Sequence, residues 1–403
     1  VILVQQIHIS KNHSLFNECD RICFASKNLY NQALFRVKTQ YENNGTYLSY
    51  YEIYKTLANE NQVDYRRLPQ NVSAQTLITL HNNYKSYFNT LKSYTKNPNK
   101  FKGLPKSPNF LHKTEGRYMA IYTECVIAQK QLREKGLIVL GSTTIKLPTI
   151  HKKINQVRII PKSKELYIIE IIYEKEPEPN IISNNYCGID LGLNNLATLG
   201  FNNKASIPFI INGKPLKSIN QYFNKKKANS QSKLTNNKHL SKKIRKLTNK
   251  RNNKIKDYLH KSSKRIVDQL KHSNVSNLVI GKNKNQKQDI NIGDKNNQNF
   301  VSIPHDRFIQ MITYKCQLKG INVITREESY TSKCSFYDNE TIRKHNEYKG
   351  KRIKRGLFKS SNGFKYNADL NGALNILKKE FPNSFTNGIE GLMISPKKIE
   401  ILS

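Results

Sequence analysis

The chain has 403 residues, 37% of them hydrophobic, with 68 Lys and Arg against 29 Asp and Glu for a formal net charge of +39. That apolar content excludes a disordered chain and suits two or three domains with a large buried core, while no apolar run nears the roughly 18 residues of a membrane span and no signal peptide is visible, so an intracellular protein is expected. A fold with this charge excess repels itself, and because the charge is spread along the chain with no amphipathic anchor, nucleic acid is the expected partner and a membrane is not.

In chain order, the first elements read as strands around a helical insertion over about 13–100. Ile22, Leu29, Ala33 and Val37 recur at helical spacing, as do Leu77, Leu80, Tyr84, Tyr87 and Leu91. The aromatics Tyr84, Tyr87, Phe88 and Tyr94 offer faces for base stacking, but this spacing reads first as core. Beyond Pro105 and Pro108 the pattern turns β-rich. Val157–Ile160 and Leu166–Tyr173 flank the polar turn Pro161–Lys164, a hairpin signal. The segment Glu174–Asn180 carries charge with Pro177 and Pro179, which discourage helix and central strand. It is the expected boundary between halves 1–180 and 181–403.

The second half alternates short apolar strands with helices, as an α/β sheet does. Strands are expected at Tyr186–Leu191, Leu196–Leu199, Pro208–Ile211, Leu278–Ile280 and Ile321–Ile324, with helices at His305–Leu318 and Asn371–Lys379. A long basic helical region is expected over about 216–271. There Leu240, Ile244, Leu247, Ile255, Leu259, Ile266 and Leu270 form one apolar stripe, and Lys242, Lys243, Arg245, Lys246, Lys250, Arg251 and Lys254 take much of the remaining surface. Asp257 is the only acid across 238–265. The i,i+4 acids that balance a merely solvated face are missing, so these cations are expected to contact phosphates.

Two segments carry candidate chemistry. In Cys187–Thr198, Asp190 interrupts an apolar strand, where a buried carboxylate is costly unless paired or bound to a metal; a strand-end turn is the other reading. In Asn367–Ile376, Asp369 stands at the start of a helix, where an ordinary N-cap is the alternative. Taken together, GIDLGLNNLAT and NADLNGALNIL resemble the first and third RuvC motifs of transposon-encoded TnpB proteins. NNQNFVSIP, EESYTSKCSF and GKRIKRGLF are similar to segments of the Fanzor proteins, TnpB relatives of eukaryotes and their large viruses. The resemblance covers about 181–380; over 1–180 it rests on the order of strands and inserted helices.

The resemblance implies an α/β RNase H-like (RuvC) nuclease domain over 181–403, with a basic insertion at about 330–366. It also implies an N-terminal β-barrel wedge domain with a helical recognition insertion. It implies two Mg²⁺ ions on clustered carboxylates, with Asp190 and Asp369 as first and last acids. The middle acid departs from the pattern. TnpB proteins usually carry Glu at the end of the fourth core strand, where this chain reads Leu278-Val-Ile-Gly281-Lys282. The neighbouring parallel strand, about 4.8 Å away, runs into Arg326-Glu327-Glu328, so a relocated glutamate is expected, with Glu328 favoured over Glu327; a dead nuclease is the alternative. No CxxC pair is present, reduced thiols are the default, and Cys334 has only Asp338 and His345 as companions, so structural zinc is not expected. Lys351, Arg352 and Arg355 are expected on the substrate strand, or else on a solvated loop.

The function implied is RNA-guided DNA cleavage by a monomeric protein in a ribonucleoprotein, with a guide RNA and a double-stranded target as partners and a short target-adjacent motif read by protein. The setting implied is the nucleus for a eukaryotic or viral host and otherwise the cytoplasm. The rivals are a nuclease-inactive guided DNA binder of repressor type, and a guide-independent RuvC-like nuclease or transposase.

Overall fold

Apolar side chains recurring every second residue in the first half give strands, and those recurring every three or four give helices. The computed structural model describes residues 1–235, 239–283, 302–385, 388, 391–392 and 395–401, so most of the NNQNFVSIP segment lies outside the described residues. It divides into two units, Ile2–Lys175 and Glu176–Ser403.

In the first unit the elements are β1 (Ile2–Ser10), α1 (Phe16–Asn44), α2 (Tyr50–Asn59), α3 (Val63–Arg66), α4 (Gln70–Lys96), β2 (Ala120–Thr123), α5 (Gln129–Lys135), β3 (Leu137–Val139), β4 (Lys146–Pro148), β5 (Gln156–Ser163) and β6 (Leu166–Glu174). The main sheet is antiparallel in the order β1-β6-β5-β2, and β3 pairs with β4 separately. Among the described residues no ladder joins the edges β1 and β2, so the barrel that the resemblance implies is not shown. The apolar face of the sheet is covered by helices: Cys19, Ile22 and Leu29 of α1 and Leu77, Leu80 and Tyr84 of α4 share one core with Ile159 and Ile169. Tyr87 and Phe88 pack against that core.

The second unit holds β7 (Tyr186–Leu191), β8 (Asn195–Phe201), β9 (Phe209–Asn212), α6 (Lys214–Gln231), α7 (Lys242–His272), β10 (Asn277–Gly281), α8 (His305–Leu318), β11 (Asn322–Arg326), β12 (Lys351–Lys354), β13 (Leu357–Lys359), β14 (Lys365–Asn367), α9 (Ala368–Glu380) and β15 (Lys397–Ile399). The sheet order is β11-β10-β7-β8-β9-β15. β7, β8 and β9 form an antiparallel meander. β10 and β11 lie parallel on the other side of β7, and parallel neighbours need the crossovers that helices provide. This is the strand order of an RNase H-like, RuvC-type fold, extended by β15 along β9.

The basic helical region divides into α6 and α7. Ser241 caps α7, accepting a hydrogen bond from the Ile244 N–H. Ile244, Ile255, Leu259, Ile266 and Leu270 are buried as the stripe requires, but Leu240 precedes the helix and is exposed. No helix among the described residues is long and apolar enough to cross a membrane.

Helix α9 lies directly on β7, and glycine permits it. A Cβ on Gly188 would come within 2.1 Å of the Ala373 carbonyl oxygen. Any larger residue there would push the helix off the strand, and with it Asp369 away from Asp190.

Candidate active site

Side chains alternate along β7. Cys187 and Ile189 enter the hydrophobic core, while Gly188 and Asp190 face α9. Gly372, in the second turn of α9, makes room for the acid, since a Cβ there would stand 2.7 Å from Asp190 Oδ2. Glycine inside a helix costs about 1 kcal/mol relative to alanine, and this packing accounts for it.

Asp369 is not the N-cap of α9. Asn367 is, its side-chain oxygen accepting from the Asp369 and Leu370 N–H groups at 2.9 and 3.0 Å. Asp369 stands in the first turn, where the helix dipole favours a carboxylate. Its two oxygens accept from Asn195 Nδ2 and from the Arg352 guanidinium, each at 2.7 Å. Arg352, expected on the substrate strand, is therefore paired with a candidate catalytic acid.

Glu328, expected as the middle acid, follows β11, the strand next to the one where the family pattern puts a glutamate. Gly281, at the end of β10, pairs with Arg326 at the end of β11, and Glu328 follows two residues on. A Cβ on Gly281 would lie 2.6 Å from Glu328 Oε2 and 2.5 Å from Ile376 Cδ1. The Glu328 carboxylate thus fills the space into which a side chain at 281 would extend. Glu327 turns elsewhere: Lys379 donates to it at 2.8 Å, and the Ser329 hydroxyl and N–H donate as well. The Lys379 ammonium, with Ser329, holds its carboxyl below the usual range. Of the two candidates, Glu328 is the one beside Asp190, and Glu327 is not.

Burial drives the Asp190 carboxyl well above the ordinary carboxylate range, and the negative charges of Asp369 and Glu328 push it further. Arg352 and the Leu191 N–H oppose them. The charges of Asp369, on α9, and Glu328, after β11, thus both act against ionisation of Asp190 on β7, and a bound divalent cation would relieve that repulsion. Hard carboxylate oxygens suit Mg²⁺. Among the described residues no three His, Cys, Asp or Glu side chains are already grouped to hold a metal ion. Asp369, turned to Asn195 and Arg352, would have to share its oxygens with the ion.

The remaining candidates separate by exposure. Lys243, Arg245, Lys246, Lys250 and Lys254 are exposed on α7, as are Lys242 on that helix and Lys351 and Arg355 on the insertion. Arg251 is half-buried and donates to Asn220 Oδ1 of α6, to Asn252 Oδ1 and to the Ser302 carbonyl. It ties α7 to its neighbours.

The potential zinc donors do not converge. The Cys334 thiol donates to the Thr341 and Arg343 carbonyls, Asp338 accepts from Ser361, and His345 Nε2 lies 2.7 Å from the Thr341 carbonyl oxygen. The insertion is instead fastened by buried amides: Asn371 and Asn375, one turn apart on α9, each donate to the Thr331 and Cys334 carbonyls. Buried Glu340 accepts from the Ser335 and Lys349 N–H groups.

Sequence reading missed Asn195, Asn283 and Gly372 as parts of this site. Only Gly372 carried a local signal, a glycine inside a strong helical pattern.

Strand order and acid cluster together define an RNase H-like, RuvC-type domain. Residues 170–287 match the family OrfB_IS605, described as a probable transposase, and residues 305–376 match the Cas12f1-like TNB domain. The chain is 26% identical over 208 residues to the TnpB-like protein ORF457 of Acidianus two-tailed virus, a match covering 49% of this chain and 42% of that protein. By these matches the C-terminal half is similar to TnpB/IS605 and Cas12f-like sequences, and they do not single out the Fanzor group. Among solved structures, a Cas12f1–sgRNA–target DNA complex is 19% identical and covers 93% of this chain and 98% of its own, with a TM-score of 0.37. The mini-RNA-guided endonuclease CRISPR-Cas_phi3 is 10% identical over 93% and 92%, with a TM-score of 0.47. C2c1 of Alicyclobacillus acidoterrestris with single-guide RNA is 9% identical over 92% and 68%, with a TM-score of 0.38.

Proposed function

We propose that the chain is an RNA-guided DNA endonuclease whose catalytic acids are Asp190, Glu328 and Asp369. The observation that supports this most is the Glu328 carboxylate standing in the space beside Gly281, on an RNase H-like sheet, where its charge acts on Asp190. When bound to these carboxylates, a pair of Mg²⁺ ions supplies charge stabilisation to the entering and leaving oxygens of a phosphodiester and an activated water.

The chain's own groups do the rest. Asp190, fixed in a strand, sets the centre of the site, and Asp369 and Glu328 close on it from α9 and β11. Arg352 exchanges the Asp369 carboxylate for a substrate phosphate, which its planar guanidinium binds equally well. The exposed cations of α7, with Lys351 and Arg355, hold nucleic-acid backbones without reading sequence. Specificity then comes from guide–target pairing, and the N-terminal unit serves as wedge and recognition lobe for a short target-adjacent motif.

One observation favours a second reading, a guided protein that occupies DNA without cutting: Asp369 is already engaged by Arg352 and Asn195. Sequencing the RNA that copurifies with the full chain identifies a guide. A plasmid bearing its complement beside a randomised flank is then incubated with the ribonucleoprotein in Mg²⁺. Linear product that Asp190→Asn abolishes supports the endonuclease. Retention without nicking supports the binder, and cutting that survives removal of the RNA supports a guide-independent nuclease or transposase.

A further inference from the structure

An acid borne on a loop has more freedom than one borne in a strand, so something must hold Glu328 against Asp190. The backbone begins the task. The Lys282 N–H donates to the Arg326 carbonyl at 2.9 Å, carrying the β10–β11 pairing one residue beyond Gly281. Since Gly281 faces Arg326, continued register brings residue 283 opposite residue 328. The side chain of Asn283 then grips Glu328 at both ends. Asn283 Oδ1 accepts from the Glu328 N–H at 3.2 Å, and Asn283 Nδ2 donates to Glu328 Oε1 at 3.2 Å. With Oε1 so engaged, Oε2 is the oxygen that lies over Gly281.

We infer that Asn283 is a positioning residue that makes the relocated Glu328 a metal ligand. The inference rests on the reading of Glu328 as one of the catalytic acids. The amide suits the task because it is neutral. It orients the carboxylate without adding a charge of its own, whereas Lys379 on neighbouring Glu327 brings a positive charge. The pairing also explains how strand β10 manages without an acid. Glycine at 281 vacates the volume, β11 supplies the carboxylate, and Asn283 fixes the long side chain that would otherwise sample many rotamers.

The test is a double-mutant cycle read by Mn²⁺ binding to the full chain free of nucleic acid, with free Mn²⁺ followed by electron paramagnetic resonance. The variants are Asn283→Ala, Glu328→Gln and the two combined, each checked for an unchanged melting temperature in metal-free buffer. Glu328→Gln is expected to weaken Mn²⁺ binding. Asn283→Ala is expected to weaken it about tenfold, as loss of a hydrogen bond to a metal ligand does. The double variant is expected to bind no more weakly than Glu328→Gln alone. If Asn283→Ala has no effect, or weakens binding by the same factor in both backgrounds, Asn283 does not act through Glu328 and the inference fails. If Glu328→Gln leaves binding intact, the reading of Glu328 as a ligand fails first and takes the inference with it.

Discussion

Asp190 and Glu328 both lie on the side of the sheet that α9 covers, and they are held there by different means. Asp190 belongs to strand β7. Its direction is fixed by the pleat, its neighbours Cys187 and Ile189 are locked in the core, and Gly188 and Gly372 clear the space around it. Glu328 follows β11 and depends on an empty position on another strand, Gly281, and on two hydrogen bonds from Asn283. The first arrangement resists change because moving the acid means moving the sheet. The second is assembled from parts far apart in sequence, and each part can be removed separately.

The largest effect should come from the strand side. Asp190→Asn should lower cleavage by at least about a thousandfold. It should also raise the melting temperature of the metal-free protein, because burial and two neighbouring carboxylates oppose the Asp190 charge. The sign follows from linkage. A carboxyl raised in the fold above its ordinary 3.8 is favoured in the protonated form, and its stabilisation is lost as pH climbs through the raised value. The advantage of Asp190→Asn should therefore grow from pH 4 upward, as measured by thermal melts across pH.

On the loop side, Glu328→Gln should lower cleavage by about a hundredfold, and Glu327→Gln should change it by less than about threefold. Equal losses in the two variants would erase the distinction between them. The comparison sharpens if the acid is returned to strand β10. Gly281→Glu combined with Glu328→Ala and Ile376→Val, which removes the two atoms nearest to a Cβ at 281, should recover about tenfold of the cleavage lost by Glu328→Ala, and it should no longer need Asn283. A clear effect on folding belongs to Gly188→Ala, whose methyl meets the backbone of α9. It should destabilise the domain by about 1–3 kcal/mol in urea melts.

The same contrast explains what could be read from the residues. Asp190 and Asp369 each lie in a short segment whose neighbours declare the environment: an apolar strand in one case, a capped helix start in the other. The RNase H-like order followed because each strand of the second half is bounded by turn or helix signals. Glu328 required a register between β10 and β11, which no local pattern encodes, and Asn283 required that register and its continuation by one residue. Arg251 and its neighbours on α7 look alike in sequence, yet Arg251 meets Asn220 of α6 and turns inward. Arg352 read as a surface cation because its partner Asp369 is 17 residues away. Whether the N-terminal sheet closes on itself is likewise not written in any local pattern, since it depends on packing across the sheet's face.

Anomalous scattering from crystals of the full chain soaked in Mn²⁺ puts the central claim to its most direct test. The account predicts a peak bounded by carboxylate oxygens of Asp190, Asp369 and Glu328, with Glu327 still on Lys379. A peak coordinated by Glu327 instead, or one on the two aspartates with Glu328 turned away to solvent, would contradict it.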